Sequence, residues 1–166
     1  MRKLSLLTVL MLSIVMFGVL PASAKSPVKT LPGDITLAQS QKILAAALKK
    51  AEAIKVPVNI AIVDAGGNLK AFYRQEDAFI GSIDISIKKA KTARYFNMTT
   101  RALGAASQVG QPLYGIEVSN DGLVIFAGGV PLVDANNVII GAIGVSGGSV
   151  DEDESIALAG AAVITK

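Results

Sequence analysis

The sequence predicts an α+β domain: a single antiparallel sheet flanked by helices. Three observations carry that prediction. Two segments open on a capping box and run on as helix formers, one at Thr36 and one at Ser149. Between them, β-branched apolar runs are punctuated by short turns rich in Gly, Asn and Asp. The order is helix, hairpin, helix, several strands, helix, which favours an antiparallel sheet over a doubly wound one.

Taken in order, residues 1–24 are expected to form a leader and not part of the fold. Arg2 and Lys3 precede an apolar run from Leu4 to Leu20, and Ala22-Ser23-Ala24 supplies a small-residue cleavage site. A retained membrane anchor is the alternative, but Ser5, Thr8 and Ser13 interrupt a run already short for a span. Cleavage near Ala24 would deliver an exported protein, periplasmic or secreted. No cysteine follows that site to carry a lipid.

Residues 25–35, with two prolines and a glycine, read as an extended lead-in, and residues 36–166 as one domain. Thr36 and Gln39 form the first capping box, and Ile43, Ala47, Ala51 and Ile54 the apolar stripe behind it. Pro57 ends that helix. Val58 to Asp64, Gly66-Gly67-Asn68 and Leu69 to Arg74 read as strand, turn, strand. A similar device is expected at Asn120-Asp121-Gly122 and at Asp134 to Asn137. Gly81 to Phe96 fits both periods, and its length favours a helix; Thr99 to Gln111 should hold a short helical turn and a loop.

Composition removes whole classes of chemistry. The chain has no cysteine, hence no disulfide, thiolate nucleophile or zinc–thiolate site. It has no histidine, hence no Ser-His-Asp triad, no imidazole base and no His-ligated zinc or heme. The net charge of +3 owes two of its positive charges to Arg2 and Lys3, and no basic block is interleaved with aromatics as nucleic-acid binding would ask. Carboxylate, tyrosine, lysine, methionine and backbone chemistry remain.

The stretch from Gly141 to Gly160 tests one further class. Gly141, Gly144, Gly147 and Gly148 suggest a phosphate cradle, but Asp151, Glu152, Asp153 and Glu154 fill the electropositive helix start where a phosphate would sit. Like charges repel, so a nucleotide site is excluded. Ser149 with Glu152 makes a second capping box, and the acids suit the helix dipole. Asp151 and Glu154 share a helical face and are the candidate pair for a hard cation.

Several motifs in a fixed order resemble the GlcG/HbpS family, also known as the heme-degrading or DUF336 domain. They are Ala61-Ile62-Val63-Asp64-Ala65-Gly66-Gly67-Asn68-Leu69, then Ser82 to Ser86 leading into Lys89 to Ala93. Gly128-Gly129-Val130-Pro131-Leu132 and Ile140 to Gly148 follow, with acids and a helix after them. The resemblance runs from the first helix to Lys166. It is similar also to the C-terminal domain of PduO-type proteins, and implies a profilin- or PAS-like three-layer arrangement that assembles into homo-oligomers. It further implies heme binding for sequestration, storage or sensing, with slow oxidative heme degradation, and iron at D/E-x-x-E patches, which Asp151 to Glu154 match. Two features depart from the pattern. No histidine is present, and Arg74-Gln75-Glu76-Asp77-Ala78 stands where many members read Arg-Met-Asp-Gly-Ala.

On that reading, a heme site needs an apolar slot, cations for two propionates and an axial ligand. The candidate ligands are Tyr73, Tyr95, Tyr114 and Met98, with Arg74 or Arg94 able to favour an ionised phenol. Each tyrosine also suits a core or rim position. Lys88, Lys91 and Arg94, spaced by threes, would form a basic face for propionates or for solvent. Gly128 and Gly129 bring two backbones together or admit a ligand edge. Two other functions fit the same residues: an enzyme acting on a small oxo- or hydroxy-acid through Arg74 and the basic face, and an accessory protein of a membrane sensor.

Overall fold

The structure is a computed structural model and describes residues 33–164; the expected leader, most of the expected lead-in and the last two residues lie outside them. Four helices, four strands and one short 3-10 turn make up the described residues: α1 (Leu37–Ile54), β1 (Asn59–Asp64), β2 (Leu69–Arg74), α2 (Ser82–Phe96), α3 (Thr100–Ala106), β3 (Gly129–Val133), β4 (Ile139–Ser146) and α4 (Val150–Ala161), with the 3-10 turn at Ile116–Val118. The sheet is antiparallel throughout, in the order β2-β1-β4-β3. The expected α+β class is the observed one.

Strand alternation builds three layers. Ile60, Ile62, Ile143 and Val145 face α1 and α4, where Ile43, Ala47, Ala51, Ile156 and Ala157 meet them in the larger core. Each large aliphatic side chain taken from water there contributes roughly 1.5–3 kcal/mol. The opposite face is small: Ala61, Val63 and Ala142 pack against Ala90 and Ala93 of α2. Smallness lets α2 lie directly on the strand backbones. A Cβ at Gly144 would run into the Ser86 carbonyl and the Ala90 amide.

Local signals account for the element ends. Thr36 and Gln39 form the expected capping box, and Lys55 closes α1 in the left-handed region at φ 57°. Ser149 and Glu152 form the second box at the start of α4. The two Val-Asp-Ala stretches make the same turn twice. Asp64 Oδ1 accepts from the amides of Gly66 and Asn68, and Asp134 Oδ1 from those of Asn136 and Val138. Asp77, where the resembled pattern has glycine, adopts φ 64°. The lead-in ends tethered: the Ile35 amide donates to the Ile140 carbonyl, and Asp34 accepts from the Ala65 amide.

One expectation is corrected. Asn120, Asp121 and Gly122 do turn, all at positive φ, but no strands flank them. The 3-10 turn precedes them and an irregular segment follows. Its amides are engaged elsewhere: Leu123 donates to the Glu117 carbonyl and Val124 to Thr92 Oγ1. Gly104 of α3 lets the Ile125 carbonyl pack against it. Residues 119–128 therefore form a strap across α2 and α3, not half of a hairpin. Among the described residues no helix is long and apolar enough to cross a membrane.

Candidate functional site

Three of the residues singled out for ligand binding meet in one place. Lys88, Lys91 and Tyr95 of α2 line a groove of about 130 Å³, whose far wall is the strap at Asn120 to Leu123. Ile87, Leu123 and Tyr95 supply apolar surface, while Asp84, Thr92 and Asp121 complete the lining. Lys88 Nζ pairs with Asp84 at 2.9 Å, one helical turn away. Lys91 makes no ion pair among the described residues, so its charge is available to a ligand. Tyr95 is fixed from behind by the first hairpin: a Cβ on Gly67 would come within 2.5 Å of its ring. The groove thus joins two ammonium groups and two carboxylates to the apolar surface of Ile87, Leu123 and the Tyr95 ring.

The other candidates lie apart. Arg94 is outside the groove because three-residue steps fall short of a helical turn, and two such steps rotate it by about 120° from Lys88. Its Nη1 donates to Asn97 Oδ1 at 2.6 Å. Tyr73 sits near the far end of β2 opposite Ile60, with Arg74 beyond it, whereas the Tyr95 contact is at the hairpin turn. Met98 is exposed between α2 and α3, and Tyr114 is exposed in the loop after α3. Gly128 and Gly129 bring backbones together: a Cβ on Gly128 would sit 2.7 Å from Lys89 Nζ, and one on Gly129 would strike the Lys89 carbonyl and Thr100. Thr100 Oγ1 also accepts the Gly129 amide at 2.9 Å.

Sequence reasoning passed over the most deeply buried charges. Lys89 is fully enclosed, donating to Asp153 Oδ2 at 2.7 Å and to the Val145 carbonyl at 2.9 Å. The Phe126 ring centroid lies 4.8 Å from its Nζ. Asp153 Oδ1 accepts from the Gly148 amide. Burial pulls Lys89 below its ordinary value and pushes Asp153 above its own, in each case against the attraction of the partner. A signal did exist: Ser82, Ser86, Ala90 and Ala93 form a buried helical stripe to which Lys89 belongs.

The outward acids of the same turn meet a cation too. Arg101 of α3 donates from Nη2 to Asp151 and from Nε to Glu154, the latter at 2.6 Å. Both carboxylates raise Arg101 above its ordinary value. No three acid, histidine or cysteine side chains converge as a metal site among the described residues.

Known proteins share this fold. The chain is 44% identical over 124 residues to an uncharacterized 15.0 kDa protein of the dhaT-dhaS intergenic region of Citrobacter freundii, covering 74% of this chain and 87% of that one. Its fold is similar to a solved PduOC:heme complex at TM-score 0.75 and 35% identity, covering 79% of this chain and 95% of that one. It is likewise similar to a double mutant of Streptomyces reticuli HbpS, at TM-score 0.71 and 33% identity over 88% of this chain and 97% of that one. With residues 35–162 matching the family described as "Haem degrading protein HbpS-like", the chain belongs to the HbpS-like (DUF336) family.

Proposed function

We propose that this chain binds heme, or a related tetrapyrrole, at the groove over α2, as an exported homo-oligomeric protein that sequesters, stores or senses it. The observation that carries the reading is the meeting of Lys88, Lys91 and Tyr95 in one groove, beside Ile87 and Leu123. Membership of the HbpS-like family and the likeness to a heme-bound relative support it.

The residues fit the chemistry of heme, which supplies a planar apolar ring with a redox-active iron and two carboxylates. Lys91 and Lys88 would hold propionates by charge-assisted hydrogen bonds, Lys88 only in competition with Asp84. The Tyr95 phenol is the aromatic oxygen ligand on offer to ferric iron in the groove, beside the carboxylates of Asp84 and Asp121. At about 130 Å³ the groove is smaller than a site that encloses a ligand of this size, so it receives an edge and leaves much of the ring to solvent or to a second copy.

A hemin titration of the chain lacking residues 1–24 tests this. A saturable Soret shift is expected, with its position altered in Tyr95→Phe and unaltered in Tyr73→Phe and Tyr114→Phe. Changing Lys88 and Lys91 together to Glu should weaken binding by about tenfold or more. A featureless, non-saturating response would remove the heme reading altogether.

A further inference from the structure

The outer acids at the start of α4 have the spacing that suits a bridging cation. Asp151 and Glu154 lie on one face, three residues apart, and both reach the same group. That group is the guanidinium of Arg101, from an element 50 residues away in sequence. A planar fork presenting two N–H groups to two carboxylates matches their geometry as a point charge does not. Among the described residues no third acid converges on these two carboxylates, and hard cations take six or more oxygens.

Arg101 is also well placed to have a mechanical effect. It stands at the start of the short α3, which is capped by Thr99 and pinned to β3 through Thr100. The strap rests on the same helix at Gly104. Fastening α3 to α4 therefore fastens the seat of the strap.

We propose that Arg101 is the resident cation of the Asp151–Glu154 pair. The site is a guanidinium latch between α3 and α4, and it does not take up iron in this chain.

Two measurements on the chain lacking residues 1–24 test the latch. Equilibrium dialysis against ferrous iron under anaerobic conditions should give the same uptake for the unaltered chain and for Asp151→Asn/Glu154→Gln. Hydrogen exchange at the amides of Thr100 to Ala106 should quicken roughly two- to five-fold in Arg101→Gln and equally in the double acid variant, with no further gain when all three changes are combined. Arg101 and Asp151 are exposed and Glu154 is part-buried, so its replacement is the isosteric Gln, and urea unfolding of each variant checks that it folds. Saturable iron uptake that the double acid variant loses would overturn the proposal. So would α3 exchange that Arg101→Gln leaves unchanged.

Discussion

The first turn of α4 carries two ion-pair groups that differ chiefly in their access to water. Asp153 points inward to Lys89, and both side chains are almost fully enclosed. Asp151 and Glu154 point outward to Arg101, whose side chain is 48% exposed. The inward pair must surrender hydration on both ions, and burial outweighs the partner's pull on each. It adds little stability over an apolar filling of the same volume, yet it cannot be halved without stranding a charge. The outward group keeps more of its water, through Asp151 and Arg101 above all, with Glu154 part-buried, so losing half of it strands less. Burial, more than charge, decides which of the two groups the fold depends on.

The comparison is broken most directly by halving the inner pair. Lys89→Ala leaves Asp153 buried with its amide bond but no cation, and should cost about 3–5 kcal/mol in urea unfolding. Lys89→Met with Asp153→Leu removes both charges and should cost less than the single change. A double variant less stable than the single one would show that the pair is worth more than its desolvation. The second probe acts through the backbone. Gly144→Ala drives a methyl into the Ser86 carbonyl and lifts α2, the helix that carries Lys89, from β4. About 1–3 kcal/mol should be lost to this overpacking. Unchanged stability would mean that α2 has room to shift.

How much of this was readable in the chain follows from how local each cause is. The caps at Thr36 and Ser149 and the paired turns at Asp64 and Asp134 are fixed by residues within a few positions of one another. All were legible. Lys88, Lys91 and Tyr95 could be placed on one helix, and the drift of Arg94 away from Lys88 follows from the helical repeat alone. The opposite wall of the groove could not, because Asn120 to Leu123 take their shape from hydrogen bonds to Glu117 and Thr92 instead of a partner strand. Lys89 with Asp153 and Arg101 with Glu154 are separated by 64 and 53 residues. Charge pairing at that range is invisible until the sheet brings the helices together.

The smallest effect sharpens the comparison within two adjacent residues. Glu152 and Asp153 are shifted in opposite directions. Hydrogen bonds from the Ser149 amide and hydroxyl hold Glu152 below its ordinary value, while burial holds Asp153 above. The signs follow from linkage. A depressed Glu152 supports the fold above its unfolded value, and that support is lost as pH falls through its folded value. A raised Asp153 binds its proton more tightly when folded, so stability is gained as pH falls from its folded value toward its ordinary one. Ser149→Ala removes the cap and should cost about 1 kcal/mol at neutral pH. It should also bring Glu152 part of the way back toward its ordinary value, since the backbone amide of residue 149 still donates to it, while leaving Asp153 alone. The stability difference between the two proteins should therefore narrow on the acid limb, because a protonated Glu152 accepts hydrogen bonds poorly. A difference that stays constant through that limb would show that the Ser149 hydroxyl works through the Glu152 amide alone and that its own bond to the carboxylate contributes nothing.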